Sequence, residues 1–393
     1  MLPDMERRAD ALQRLRQAHE EVVLAALRSE GPMSRTKLTA RTGLSRTTLF
    51  AIISELMARG AVIESGTEDD GRPRGRGRPA TRVSLNPDAG LLIGVDLGRR
   101  RIRVAIANVA RQVIATAVDD SAPDADEAEQ AELAVALIHK LCADRHIGLR
   151  ALEAIGVGLV GAMDASNRRW RAAERLAAAF DTRVEADNNA RLAALAEQTW
   201  GSARSAEDVV YVRWSVGVGG GFISGGRLLR GAHGASGELG HVSVDPAGPR
   251  CHCGGRGCLE ELIGTPALLR AVAARGVRLT GTDDLLEAAQ ARTPAVTDVV
   301  VDAARTLGTV LAGTVAQLDP ERVVVGGDLA QLGGLVLDPI RSAIGGLALP
   351  GTARTLDIVP ADLGPAASAM GAIALVLRDQ ERRPPDPNPA DDL

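Results

Sequence analysis

Residues 237–260 read GELGHVSVDPAGPRCHCGGRGCLE. Cys251, Cys253 and Cys258 in this stretch are three of the four cysteines in the chain, and they follow His241 by ten to seventeen residues. One imidazole and three thiolates make a complete tetrahedral set for zinc, with no position left for water. A catalytic zinc keeps a position open, so the expected metal is structural. Gly254, Gly255 and Gly257 allow the tight wrapping that brings sulfurs together on one ion. Glu238 and Glu260 bracket the set, which points to a metal that positions carboxylates for another purpose.

Free thiols or a disulfide are the plainer alternatives. No secretory leader or long apolar span stands at the N-terminus, so a reducing cytoplasm is expected, where disulfides are rare. Cys142 lies in the apolar run AVALIHKLCA and is expected as a small buried hydrophobe. His252 is a rival ligand, but it sits between two ligating cysteines. Adjacent side chains diverge, so His241 is preferred.

Working outward, the 393-residue chain is long enough for two or three domains. Hydrophobic residues make up 45% of it and aromatics only 2%, which disfavours a single-strand nucleic-acid binder that works by base stacking. Residues 1–85 carry 15 Lys/Arg against 11 Asp/Glu, and the remainder carries 31 against 39. A basic head on an acidic body points to a head that meets a polyanion.

The head reads as helix, short helix, glycine turn, helix. Val22, Val23, Ala26 and Leu27 share one helical face, and Gly31-Pro32 ends that helix. Ser34 can cap a second helix carrying Leu38. Gly43 can supply a positive φ, and Ser45 can cap a third helix with Leu49, Ile52, Ile53 and Leu56 as its buried stripe. This is a helix-turn-helix. Ser45, Arg46, Thr47 and Thr48 are short or basic donors placed where a recognition helix meets base edges. Strands at 61–64 and 81–85 flank a segment with Arg72, Arg74, Arg76 and Arg78, which makes a winged variant. The arginines can track phosphates or enter a minor groove; the alternative is a solvated linker.

From Leu91 onward, strands and helices alternate. A strand ends in Asp96-Leu97-Gly98, a second glycine loop is expected at Gly217–Gly221, and a third Gly-Gly loop follows the 322–325 strand. A helix is opened by Asp187-Asn188-Asn189, a long helix spans 294–318, and a closing helix spans 366–377. This predicts a two-lobed α/β body with a cleft. The domain division is 1–86 for the winged head, 87–380 for the body and 381–393 for a disordered, Pro- and Asp-rich tail.

Taken together, the chain resembles the ROK family of repressors, open reading frames and sugar kinases. The motifs that carry the likeness are Gly237-Glu238-Leu239-Gly240-His241 and the cysteine block ending at Glu260. The resemblance implies an actin-like, two-lobed fold with sugar bound in the cleft. Family members with a winged head are sugar-responsive repressors that bind operators as dimers or tetramers, and the kinases lack the head. Position by position, Glu238, His241 and Glu260 match sugar-hydroxyl binders, and His241, Cys251, Cys253 and Cys258 match the zinc set. Asn188 matches the first residue of the family's Asn-Asp-Ala-Asn motif. The catalytic aspartate that follows it in the kinases is Asn189 here, and the last position is Arg191. Asn188 and Asn189 thus fall within the implied sugar site.

A carboxamide cannot take up the proton of an accepting hydroxyl, and losing a positioned base costs roughly 10²–10⁴ in rate. The family's Gly-Thr after the first Asp-x-Gly is replaced by Arg99-Arg100-Arg101, and its Pro-Gly turn by Val160-Gly161. The segment from there to Asn188 is shorter than usual. The function implied is a DNA-binding repressor with a palindromic double-stranded operator, a sugar or sugar-derivative effector, a structural zinc and no kinase activity. It acts in the cytoplasm with no membrane association, as a homodimer or homotetramer. The alternatives are a ROK sugar kinase with retained phosphotransfer, and a repressor that answers to a non-sugar ligand or a protein partner.

Overall fold

In the computed structural model, residues 19–382 are described except for 21, 28, 59, 68–80, 87–88, 99–100, 109–110, 121–125 and 162–169. The wing arginines Arg72, Arg74, Arg76 and Arg78 therefore lie outside the described residues, as do Arg99, Arg100 and positions 383–393.

The head follows the sequence pattern closely. Residues 22–27 are helical, and β1 (Met33–Ser34) leads into α1 (Arg35–Thr42) and α2 (Arg46–Ala58). The turn between the helices closes on Gly43, whose φ of 69° is left-handed and whose N–H donates to the Thr39 carbonyl. Ser45 caps α2: its Oγ accepts from the Thr48 N–H at 3.1 Å. Ser34 differs from expectation. It holds the N-cap position of α1 with extended backbone, but its side chain makes no capping bond, because the residue is spent in a strand pairing with Arg82. Leu49, Ile52, Ile53 and Leu56 of α2 are buried with Val23, Leu27 and Leu38. β2 (Val62–Thr67) and β3 (Thr81–Leu85) pair antiparallel and, with β1, form a three-stranded sheet in the order β1-β3-β2.

The body holds two five-stranded sheets of one topology. The first comprises β4 (Leu91–Leu97), β5 (Ile102–Asn108), β6 (Val113–Asp119), β7 (Leu152–Leu159) and β8 (Arg183–Asn188), in the order β6-β5-β4-β7-β8. The second comprises β9 (Val209–Trp214), β10 (Val218–Ser224), β11 (Arg227–Leu228), β12 (Arg322–Gly326) and β13 (Asp357–Pro360), in the order β11-β10-β9-β12-β13. In each, an antiparallel meander is followed by two parallel strands added to the other side of the first strand. The crossover switches direction at the end of that first strand, which is where ligands bind in open α/β sheets.

Helices α3 (Glu127–Arg145) and α4 (Trp170–Phe180) cover one face of the first sheet. Helix α5 (Asn189–Thr199) runs from the end of β8 towards the second sheet. Two short helices, α6 (Leu259–Ile263) and α7 (Thr265–Ala274), follow the cysteine block, and α8 (Thr282–Gln290) leads into α9 (Pro294–Leu318). The 25-residue α9 is long and apolar enough to cross a membrane, yet Val296, Val300, Leu307, Leu311 and Val315 are packed in the core of the second lobe. α10 (Gly334–Leu347) packs against it. The closing helix α11 (Ala367–Arg382) lies against α5 and the first sheet, and so ties the lobes together. It continues to Arg382, past the expected start of the tail at 381.

A second sequence expectation is corrected. Of the loop expected at Gly217–Gly221, only Gly217 lies in the turn between β9 and β10; Gly219, Gly220 and Gly221 sit in β10, paired with Arg213, Val212 and Tyr211. Their smallness serves packing. A Cβ on Gly221 would lie 2.8 Å from the Ala194 Cβ and 2.9 Å from the Arg191 Cα. The strand glycines let α5 press onto β10.

Candidate functional site

The cysteine block folds back on itself through local turns. Gly254 and Gly257 take positive φ, the Cys251 N–H donates to the Gly255 carbonyl, and Ser243 bridges to Cys258. The result brings one ligand atom each from His241, Cys251, Cys253 and Cys258 to within 4.8 Å of one another, a group that could hold a metal ion. Cys253 Sγ lies 3.6 Å from Cys258 Sγ, and His241 Nδ1 lies 3.5 Å from Cys251 Sγ. All four cysteines are free thiols, and Cys142 is buried in the first-lobe core as expected. His252 stands outside the cluster; its Nε2 is 3.1 Å from Glu260 Oε1.

The thiols are electrostatically crowded. Burial and the neighbouring thiols push Cys258 up to about 12, and burial raises Cys251. Cys253 is lowered instead, by the Gly255 N–H that it accepts. Three thiolates this close repel one another unless a cation neutralises them.

The block also aims its two carboxylates. Glu238 opens the 3-10 turn Leu239–His241. His241 therefore presents Nδ1 to the sulfurs and Nε2 to Glu238, 3.9 Å from its Oε2. Burial raises the Glu238 carboxyl, against the pull of His241 and Arg191. Cys258 is the N-cap residue of α6, whose second residue is Glu260. Glu260 Oε2 accepts the Val218 N–H at 2.9 Å, which fastens it to the start of β10.

Across the cleft, the first lobe contributes the ends of β4 and β8. Asp96 is 1% exposed and its carboxyl is raised by burial, opposed by Arg213 and Arg103. Arg213 belongs to β9, so the ends of the two central strands meet here. Asn189 Nδ2 donates to Asp96 Oδ1 at 3.4 Å. Asn188 caps α5: its Oδ1 accepts from the Ala190 and Arg191 N–H groups, and its Nδ2 donates to the Gly161 carbonyl at 2.9 Å. Asn188 thus holds a helix start beside the cleft.

A charged clasp, not expected from the sequence, also holds this side. Arg191, also 1% exposed, donates from Nε to Asp187 Oδ1 at 2.7 Å and from Nη1 to the carbonyls of Gly234 and Ser236. Asp187 Oδ2 accepts from Arg230 at 2.7 Å. The segment 230–236, immediately before Glu238, is therefore tied to β8 and α5. The i,i+4 spacing of Asp187 and Arg191 was the available signal; the backbone carbonyls had none.

In the head, Ser45, Arg46 and Thr47 are exposed and Thr48 is half-buried. Ser45 Oγ is also 2.8 Å from Thr48 Oγ1. A separate cavity of about 490 Å³, lined by residues that include Arg111, Gln198, Thr199, Glu207 and Arg378, lies at the far end of α5 from Asn189 and contains none of the residues singled out from the sequence.

The profile of the ROK family matches residues 92–379. This chain belongs to the ROK family. It is 26% identical over 376 residues to the xylose repressor of Bacillus spizizenii, covering 92% of this chain and 96% of the relative. It is 28% identical over 387 residues to the DNA-binding transcriptional dual regulator NagC of Escherichia coli K12, covering 93% of each. The fold matches that of a solved ROK family transcriptional regulator, a homologue of the Escherichia coli MLC protein, with a TM-score of 0.78 at 25% identity, over 93% of this chain and 97% of that one. The likeness to these regulators extends through the winged head as well as the ROK body.

Proposed function

We propose that this ROK protein is a DNA-binding transcriptional repressor whose cleft senses a sugar or sugar derivative and carries out no phosphotransfer. The observation that carries this reading is Asn189. Where a kinase needs a base, the chain holds a carboxamide that donates to Asp96. In this reading residues 1–86 are the DNA-binding head, 87–380 the sensor and 381–393 a tail.

His241, Cys251, Cys253 and Cys258 bind zinc in this reading. Tetrahedral bonds of about 2.3 Å to sulfur and 2.05 Å to nitrogen put neighbouring sulfurs about 3.8 Å apart and nitrogen about 3.6 Å from sulfur. The spacings of 3.6 and 3.5 Å are close to those values. When bound, zinc supplies a fixed cross-link and compensates the thiolate charge. Zinc held by Nδ1 would leave the His241 proton on Nε2, the nitrogen that faces Glu238, as a donor. Glu238 and Glu260 then accept from sugar hydroxyls, with Asn188 and Asn189 on the opposite side. Both carboxylates also steady the metal block, and the two roles coexist.

Ser45, Arg46, Thr47 and Thr48 face the operator, with Arg72, Arg74, Arg76 and Arg78 on the wing against phosphates or the minor groove. A dimer or tetramer presents paired heads to a palindromic operator in the cytoplasm. The effector changes operator affinity only as far as it binds the two head arrangements unequally. Fluorescence anisotropy on genomic fragments, with and without pentoses, hexoses, N-acetylhexosamines and their phosphates, tests this. A specific fragment released by one sugar class is expected, with ADP release at background throughout. Turnover of any sugar, or no specific fragment, overturns the reading.

A further inference from the structure

Phe50 is 62% exposed, although it is one of only three phenylalanines in the chain. The other two, Phe180 and Phe222, pack against the lobe cores. Phe50 lies on α2, four residues after Arg46 and three after Thr47, the spacings that place side chains on one helical face. Leu49, Ile52, Ile53 and Leu56 of the same helix are buried, whereas Phe50 is not. The exposed face thus reads Arg46, Thr47, Phe50, Ser54, with a single large apolar side chain among short and charged ones.

The ring is backed. The guanidinium of Arg35, from α1, lies 6.0 Å from the ring centroid. Arg35 is itself held by Glu64 of β2 at 3.0 Å. Three elements of the head therefore set the position of one exposed ring: α1 supplies the cation, the wing strand fixes that cation, and α2 carries the ring. An aromatic side chain held in place loses little rotamer freedom on contact. In the major groove, the apolar feature available to such a ring is the C5 methyl of thymine.

We propose that Phe50 is a specificity-determining residue of the head, reading a thymine methyl in each half-site while Arg46 and Thr47 address neighbouring polar base edges. This rests on the DNA-binding reading above and adds to it an apolar contact that charge and hydrogen-bonding patterns do not contain. The occupant is the methyl group of duplex DNA. The other candidate for an exposed ring, a second protein copy, is a distinct outcome of the test.

The experiment uses the full-length protein and a duplex that it enriches from a random pool. Each thymine is replaced singly by deoxyuridine, which removes only the methyl, and affinity is measured for wild type, Phe50→Ala and Phe50→Leu at several salt concentrations. For wild type, one thymine per half-site should cost about fourfold when demethylated, the worth of one buried methyl group. Phe50→Ala should bind the parent duplex about tenfold more weakly and no longer distinguish thymine from deoxyuridine there. Its slope against salt should not change, because no phosphate contact is lost. Phe50→Leu should keep part of the discrimination, and melting of both variants should match wild type. An unchanged thymine preference in Phe50→Ala overturns the proposal. So does a loss of binding that tracks dissociation into monomers, which would place Phe50 in a protein contact. If wild type enriches no duplex at all, the DNA-binding reading itself fails at that first step, and the proposal fails with it.

Discussion

The two sides of the cleft are built by opposite means. The second-lobe side, from Glu238 to Glu260, is shaped by turns within one stretch of chain and by four metal-competent side chains. The first-lobe side, from Asp96 to Arg191, is shaped by buried charge, with Asp187 accepting from both Arg191 and Arg230. The first can be specified locally, because its members are close in sequence. The second depends on elements far apart in the chain arriving together. Losing a part should therefore have different consequences on the two sides.

The largest expected effect falls on the metal side. Cys253→Ser should abolish stoichiometric zinc and lower the melting temperature by roughly 10 °C, about 4 kcal/mol, as loss of a structural metal does. Zinc content and calorimetry on the purified protein check this. Unchanged metal content and melting would remove the basis for treating that side as metal-built.

Next comes the clasp. Arg191→Met leaves buried Asp187 with Arg230 and the Asn188 N–H as partners, so the loss should be part of the about 3–5 kcal/mol that breaking a buried pair costs. Melting should fall by several degrees with zinc content intact, and Asp187→Asn in the same chain should recover part of the loss. A variant as stable as wild type would mean that the charged side is not held by charge.

A smaller effect is expected at Glu238. Glu238→Gln keeps the shape but replaces one acceptor with a donor. It should weaken sugar affinity about tenfold, the order of one charge-assisted hydrogen bond, with little change in operator binding in the absence of sugar. Calorimetric titration measures it.

The smallest effect concerns pH. Burial raises the Asp96 carboxyl above its ordinary value of 3.8, so the folded state holds this proton more tightly than the unfolded state. That contribution is fully present below 3.8 and is lost as pH rises through the folded-state value. Asp96→Asn should remove it. The stability of the variant relative to wild type should therefore rise with pH over that window, as read from urea melts at successive pH values. A constant difference would show that Arg103 and Arg213 fully offset the burial.

Much of the head was legible because its signals are local. Gly43, Ser45 and the stripe from Leu49 to Leu56 sit where helix period and capping rules put them. The metal-competent group was legible for the same reason, and His241 stands among its four members. Gly219–Gly221 were misread as loop because a glycine that permits close packing is written identically to one, such as Gly217, that permits a turn. Ser34 was misread because strand pairing claimed a residue that local rules assign to a helix cap.

By itself, the sequence determined the two kinds of domain, the set of four metal-competent side chains and the absence of a carboxylate at position 189, since each depends on residue identity and short spacing. Tertiary structure alone decided that both lobes share one strand order, that Asn189 faces Asp96 across 93 positions, that Arg191 grips the segment before Glu238, and that Phe50 stands exposed on its helix. Those outcomes follow from which surfaces meet when distant segments pack. No local pattern of hydrophobicity or spacing encodes that meeting.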